Sequence, residues 1–217
     1  MTDLRELVVR WQRGWGIARE LPAARDLGSG LRVRCRQTGR DVEYFALDGA
    51  ASVAGLAELV RREDKVTWLT VPTVDPERAA AAIEAAGLVV LKRSEKLMVT
   101  ELRLQQFHPA PPGYALETTV DGAVVRVVVR DRGGEEGAHG TMGVAGADGI
   151  ADKILTSPGH RRRGLASTVM SALAEAAGAE HGLLIASEEG QPLYARLGWH
   201  AVADVLIAST PGVTYPS

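Results

Sequence analysis

Ser157-Pro158-Gly159-His160-Arg161-Arg162-Arg163-Gly164-Leu165-Ala166 is the stretch on which this chain turns. It joins a strand-like run, Ile154-Leu155-Thr156, to an amphipathic helix in which Leu165, Val169, Met170, Leu173 and Ala177 recur at helical spacing. The first turn of a helix leaves main-chain N–H groups unpaired, and the macrodipole puts its positive end there. Gly164 and Ala166 let a ligand approach closely and three arginines add charge, so the stretch reads as a cradle for phosphate or pyrophosphate. It is neither of the two commonest phosphate loops. No Gly-x-x-x-x-Gly-Lys-Ser/Thr occurs, and no Gly-x-Gly-x-x-Gly opens the helix. Arginines before a helix also make an ordinary solvated turn, so the surrounding pattern has to decide.

Downstream, Gly178 stops the helix and Leu183-Leu184-Ile185 reads as a short buried strand. Ser187 can cap a further helix, with Glu188 and Glu189 in its first turn and Pro192 early. Gly198 ends that helix, residues 202–208 make a last strand, and residues 210–217, with two prolines, read as a loose tail. Upstream, strands fit residues 114–120 and 123–129 around an Asp121-Gly122 turn. Residues 131–140 form a polar, glycine-rich loop, and strands follow at 141–145 and 150–156. The second half therefore reads β-β-β-β-α-β-α-β. His108-Pro109-Ala110-Pro111-Pro112-Gly113 is the best linker in the chain and divides it into residues 1–105 and 106–217.

The first half opens on a helix, residues 4–20, weakened near its end by Gly14 and Gly16; Trp11 and Trp15 on its apolar face serve the core or line a pocket. A loop at 22–30 leads to strands at 31–36 and 42–47, joined by Thr38-Gly39-Arg40-Asp41. A helix at 52–62, a strand at 66–71 closed by Pro72, and a helix from the Asp75 cap to Ala86 follow. A strand at 88–91 then continues at 96–102 after a turn. The order β-β-α-β-α-β repeats the tail of the second half, which makes an imperfect structural duplication one reading of the chain.

The 217 residues carry a formal net charge of −2, with 46% hydrophobic and 24% charged residues, as in an ordinary globular protein. That balance argues against a nucleic-acid partner. A single cysteine, Cys35, excludes an internal disulfide and fits the cytoplasm. Nothing near Met1 reads as a signal peptide and no apolar run is long enough for a membrane span. No metal site is expected, because His139, His181 and His200 lack a ligand spacing. His160 reads as solvated and Cys35 as core.

The deciding feature is a second signal, Ser187-Glu188-Glu189-Gly190-Gln191-Pro192-Leu193-Tyr194-Ala195-Arg196-Leu197-Gly198-Trp199. Taken with the arginine loop, one helix and one strand earlier, it resembles the GNAT (Gcn5-related N-acetyltransferase) superfamily. Arg161, Gly164 and Ala166 match that family's Arg/Gln-x-x-Gly-x-Gly/Ala loop, and residues 193–199 match its Leu-Tyr-x-x-Leu-Gly-Phe helix end, with Trp199 for the Phe. The resemblance covers about residues 113–208; residues 1–105 match in element order alone, like the degenerate first half of a tandem GNAT protein. It implies a mixed α/β sheet with the GNAT fold in a pseudo-tandem arrangement. It also implies an acyl-CoA co-substrate, acetyl-CoA above all, and no metal.

By that resemblance the N–H groups of Arg162, Arg163, Gly164, Leu165, Ala166 and Ser167 hold the CoA pyrophosphate. The pantetheine arm pairs with the strand edge at Ile154, Leu155 and Thr156, where the fourth and fifth strands splay apart. Tyr194 takes the proton-donor position. Two departures stand out: Ser187 replaces an Asn common at the start of the second motif, and Gly182 occupies the place of a Glu base found in some relatives. Asp152, assigned by alternation to the same face as Ile154 and Thr156, is the substitute acid or a hydrogen-bonded anchor. Glu117 and Glu188 are weaker candidates. The expected activity is transfer of an acetyl group from acetyl-CoA to a primary amine of a small molecule. The alternatives are a protein N-acetyltransferase and a catalytically silent acyl-CoA sensor. Trp11, Trp15 and residues 131–140 are candidate walls of the acceptor pocket.

Overall fold

The computed structural model describes residues 3–37 and 39–215, so Thr38 of the expected hairpin turn and the last two residues of the tail lie outside it. The first half supplies β1 (Arg25–Asp26), β2 (Gly30–Gln37), β3 (Arg40–Ala46), β4 (Thr67–Thr73) and β5 (Val89–Glu101), with helices α1 (Leu4–Ala18), α2 (Ala50–Arg62) and α3 (Pro76–Ala85). The second supplies β6 (Tyr114–Asp121), β7 (Val124–Asp131), β8 (Glu136–Ala145), β9 (Asp148–Thr156), β10 (His181–Ala186) and β11 (His200–Ser209), with α4 (Leu165–Ala177) and α5 (Gln191–Arg196). All of these strands join one mixed sheet in the order β1-β2-β3-β4-β11-β5-β10-β9-β8-β7-β6.

The halves exchange strands. β11, the last strand, inserts between β4 and β5 of the first half, and β5 lies between β11 and β10 of the second. The antiparallel β5–β11 pair is the centre, flanked on either side by an antiparallel neighbour, β10 and β4. Outside these, β3–β4 and β9–β10 are parallel, and β2–β3 and β8–β9 antiparallel. The two halves thus repeat one arrangement about the middle of the sheet, which runs unbroken past the linker.

Helix boundaries follow local chemistry. Asp75 caps α3 by accepting a hydrogen bond from the Arg78 N–H at 3.1 Å, and Pro76 sits where a missing N–H costs nothing. Gly178 ends α4 in the left-handed conformation at φ +59°. α4 packs on one face of the second half through Val169, Met170 and Leu173 against Val125, Val127 and Met142. α2 and α3 cover the same side of the first half, over Leu69, Val71 and Leu206.

The opposite face belongs to α1. It runs through Gly14 and Gly16 without breaking and lays Trp11 and Trp15 against Phe45, Ile150 and Val205. Burying side chains of this kind contributes about 1.5–3 kcal/mol of transfer free energy each. Gly14 and Gly143 let α1 lie directly on β8 and β9: a Cβ on Gly143 would run into the Gly14 carbonyl, and one on Gly14 into Ile150. A first-half helix is thereby seated on second-half strands.

Three expectations need correction. The turn expected between residues 91 and 96 is absent: β5 is one strand of 13 residues, and register shifts against β11 absorb the polar run Lys92-Arg93-Ser94-Glu95. Residues 136–140 of the expected loop belong to β8, paired with β7 and β9. The tail is docked as far as Tyr215, whose ring stacks on Trp68 at 5.1 Å between centroids.

Candidate active site

The site begins with an irregularity in β9. Thr141 faces Asp152 and His139 faces Leu155, so Gly140 alone opposes both Lys153 and Ile154. This is a β-bulge, with Lys153 in the left-handed region at φ +53°. The extra residue reverses the alternation. Asp152 points to the α1 face, where it meets Arg19, while Ile154 points to the α4 face beside Val169 and Leu173. The expected common face for Asp152, Ile154 and Thr156 is therefore overturned, because alternation fails across a bulge.

The same strand parts from its neighbour. β9 pairs with β10 over Asp148–Ile150 against His181–Leu183; beyond Ile150 the pairing ceases, while β10 stays paired to β5 as far as Ala186. The opening leaves an unpaired edge at Ile154, Leu155 and Thr156, which line a cleft of about 480 Å³. Arg161, Arg162, Gly164, Leu165, Ala166 and Ser167 line its far end, and Ser187 and Tyr194 its near end. Among the described residues, the main-chain N–H groups of Arg162 through Ala166 donate to no backbone carbonyl. Gly164, at φ +82°, turns the chain into α4 so that these groups gather at the helix's positive end.

Arg163 is placed differently. Its side chain donates to the Tyr114 hydroxyl at 3.0 Å and to the Gly159 carbonyl, tying the loop down and leaving Arg161 and Arg162 to line the cleft. His160 is not solvated: it is buried and bonded to the Tyr114 hydroxyl at 2.8 Å. Asp131 and Glu135 lie within reach of it, but Asp131 accepts the N–H groups of Gly133 and Glu135, so these residues serve the loop.

Tyr194 is 8% exposed, on a helix pinned to β5 by a hydrogen bond from the Gln191 amide to the Ser94 carbonyl at 2.7 Å. Burial, and secondarily the charge of Asp152, pushes its phenol up to about 12, so it stays protonated at neutral pH. Gly190 provides its room, since a Cβ there would stand 2.9 Å from the ring. The helix carrying Tyr194 is shorter than its pattern suggests. Glu188–Gly190 form a turn in which Ser187 accepts the Gly190 N–H at 3.3 Å, and α5 starts at Gln191.

On the other side of Tyr194 lies a second cavity of about 380 Å³, which shares Ile154, Ser187 and Tyr194 with the cleft. Trp11 and Trp15 serve both roles weighed for them, buried and lining this cavity, whereas residues 131–140 do not reach it. Its further walls come from the first half and the tail, with Trp68, Thr70 and Tyr215 among them. Asp152 takes the anchor geometry: Arg19 donates to both its oxygens, at 2.6 and 2.9 Å, and Arg19 also lies over the Trp15 ring. Arg40 pairs with Glu43 at 3.0 Å and lies 4.8 Å from the centre of the Trp68 ring. Of the weaker base candidates, Glu117 lies on the exposed edge strand β6 and Glu188 in the exposed turn; neither lines the cavity.

Sequence reasoning missed Glu95. It is 9% exposed on β5, lines the cavity, and accepts a hydrogen bond from the Tyr215 hydroxyl at 2.9 Å. Burial raises its carboxyl above the ordinary range, against the opposing pull of Tyr215 and Lys92. Ala186 faces Lys96 in the β10–β5 ladder, so Glu95 stands at the end of that ladder, next to Ser187. A long strand across residues 89–101 was the signal that would have found it.

Comparison with known proteins gives a partial family match and a shared fold. Residues 122–201 match the family model described as acetyltransferase (GNAT) domain. The match takes in 80 of the 217 residues. No curated protein matches it, but solved structures share its fold. A GCN5-related N-acetyltransferase from Kribbella flavida superimposes at a TM-score of 0.72 with 16% identity, over 98% of this chain and 97% of that one. A GCN5-related N-acetyltransferase from Sphaerobacter thermophilus reaches 0.61 with 13% identity, over 86% and 79%. A tandem GNAT protein from the clavulanic acid biosynthesis pathway reaches 0.57 with 14% identity, over 94% of each chain. The matched segment spans the bulged strand, the arginine loop and the Tyr194 helix, and the whole chain has the mixed α/β architecture of these neighbours.

Proposed function

We propose that this chain transfers an acetyl group from acetyl-CoA to the primary amine of a small molecule, by direct attack with both substrates bound. The observation that carries this reading is the meeting of two cavities at Ile154, Ser187 and Tyr194, one ending in the phosphate-suited loop and the other walled by the first half. The residues present fit CoA. The gathered N–H groups of Arg162–Ala166 and the side chains of Arg161 and Arg162 suit its pyrophosphate, and the freed edge at Ile154–Thr156 suits the amide-bearing pantetheine by strand addition. When bound, acetyl-CoA supplies the thioester as acyl donor.

The chain's own residues do the rest. Holding the amine and the thioester on either side of the shared wall makes the attack effectively unimolecular. Tyr194 keeps a proton on its hydroxyl at neutral pH and offers it to the departing sulfur. Asp152 serves that role indirectly: its charge favours the protonated phenol, and its pairing with Arg19 fixes α1 as a wall. The first half acts as a degenerate GNAT-like unit that closes the acceptor side. The small volume of that side favours a small acceptor over a protein chain. One buried cysteine suits a reducing compartment such as the cytoplasm.

The test is thiol release from acetyl-CoA with a panel of amines. Tyr194→Phe is expected to lower kcat by about 100-fold with CoA affinity unchanged. CoA binding with no thiol release from any amine would replace the enzyme with an acyl-CoA sensor.

A further inference from the structure

Glu95 is the one carboxylate of the acceptor cavity that neither the fold nor the reaction above employs. The other two lining acids are committed, Asp152 to Arg19 and Glu43 to Arg40. Glu95 has a side-chain hydrogen bond from Tyr215, and among the described residues it forms no ion pair. The charged and titratable groups around it are Tyr215 from the tail, Lys92 on its own strand, and Arg40 and Glu43 from β3. Lys92 is turned to the Tyr215 ring, 5.5 Å from its centre. Lys153, the remaining cation of the wall, is exposed and keeps its hydration. Glu95, when ionised, is therefore the buried charge still without an ionic partner, and burying a charge unpaired is costly. A cation arriving there relieves that cost, whereas a carboxylate finds both guanidinium groups already taken. The apolar surface around it, from Trp15, Ile185 and Ile207, suits a compact apolar body.

Resting on the acyl-transfer reading, we propose that Glu95 receives the ammonium group of the acceptor and takes its proton. The acceptor is a small primary amine with no carboxylate of its own, and Tyr215 is the positioning residue that holds Glu95 in place. In the step, one N–H bond of R–NH3+ breaks and one O–H bond forms on the Glu95 carboxylate. The nitrogen lone pair is then free to attack. A carboxyl raised by burial is a better proton acceptor than an exposed one, and it also retains the hydrogen bond that orients it.

The experiment uses four amines, 2-phenylethylamine, tyramine, tryptamine and isoamylamine, each against the amino acid it derives from. Calorimetric binding without any thioester comes first, to the unmodified chain, Glu95→Gln and Tyr215→Phe; acetylation across the pH range follows. At least one amine is expected to bind about tenfold or more tighter than its amino acid, and Glu95→Gln to abolish that preference. The acid limb of kcat/KM should flatten in Glu95→Gln. In Tyr215→Phe it should move to higher pH with the plateau kept, because the lost phenol hydrogen bond favoured the charged carboxylate. Binding of none of the amines, tighter binding of the amino acids, or an unchanged pH limb in Glu95→Gln overturns the proposal. Acetylation that persists unchanged in Glu95→Gln does so while leaving the acyl-transfer reading intact. Glu95-dependent amine binding in a chain that acetylates nothing supports the ammonium site and removes the enzyme reading instead.

Discussion

A Cβ on Gly182 would stand 2.6 Å from the Trp199 ring, so the place where some relatives carry a base is here filled by an indole. No acid fits there without displacing Trp199, and on the acyl-transfer reading the proton goes to a residue that lines the acceptor cavity instead. Glu95 sits on the strand paired to β10, and its burial has a consequence for stability as well as chemistry. The folded state holds the Glu95 proton to higher pH than the unfolded state does. The carboxyl's contribution is therefore fully present below the ordinary carboxylate range and is lost as pH rises through the raised value. Glu95→Gln should match the unmodified chain in Tm near about pH 4 and exceed it near about pH 8, a gap that widens with pH. Thermal unfolding at several pH values checks this; a gap independent of pH would mean that the carboxyl is solvated. Tyr194 was legible in the sequence because its neighbours form a contiguous pattern around it. Glu95 was not, because five polar residues in a row, 92–96, look like a turn and only the register shifts against β11 let them stay in a strand.

At the level of elements, the site depends on where α1 lies. Its helical pattern and apolar face were readable, but its resting place was not. The contact that fixes it joins Gly14 to Gly143, far apart in the chain, and each glycine alone looks like a helix breaker or a spacer. The bulge at Lys153 was equally hidden, since a strand's alternation gives no notice of an inserted residue. Gly143→Ala would push α1 away from β8 and should cost about 1–3 kcal/mol by denaturant unfolding. Lifting α1 moves Trp15 and Arg19, which wall the acceptor cavity, and leaves the loop at residues 157–164 alone. The amine KM should therefore rise several-fold with CoA affinity kept. An equal loss in both would show that α1 supports the whole site and not one wall.

Across the whole molecule, the exchange of β5 and β11 makes the two halves one sheet and delivers a first-half carboxylate to the cavity that meets the second-half cleft at Ile154, Ser187 and Tyr194. The repeated element order was visible in the sequence; the exchange was not, because nothing in β11 distinguishes a strand that closes its own half from one that enters the other. The repeat also poses a question of stoichiometry, since β3–α2 occupies in the first half the place of β9–α4 in the second. There the connection is Leu47-Asp48-Gly49, three residues against the eight of Ser157–Gly164. It presents an acid in place of three arginines. Asp48 is bound by Arg5 at 2.7 Å, and its N–H donates to the Ser52 hydroxyl at 3.0 Å. A phosphate would meet like charge and a group already spoken for. Calorimetric titration with CoA should accordingly give one site per chain, and Arg162→Glu should weaken that site without uncovering another. A stoichiometry near two would show that the first half still binds the cofactor and would undo the view of it as a wall for the acceptor.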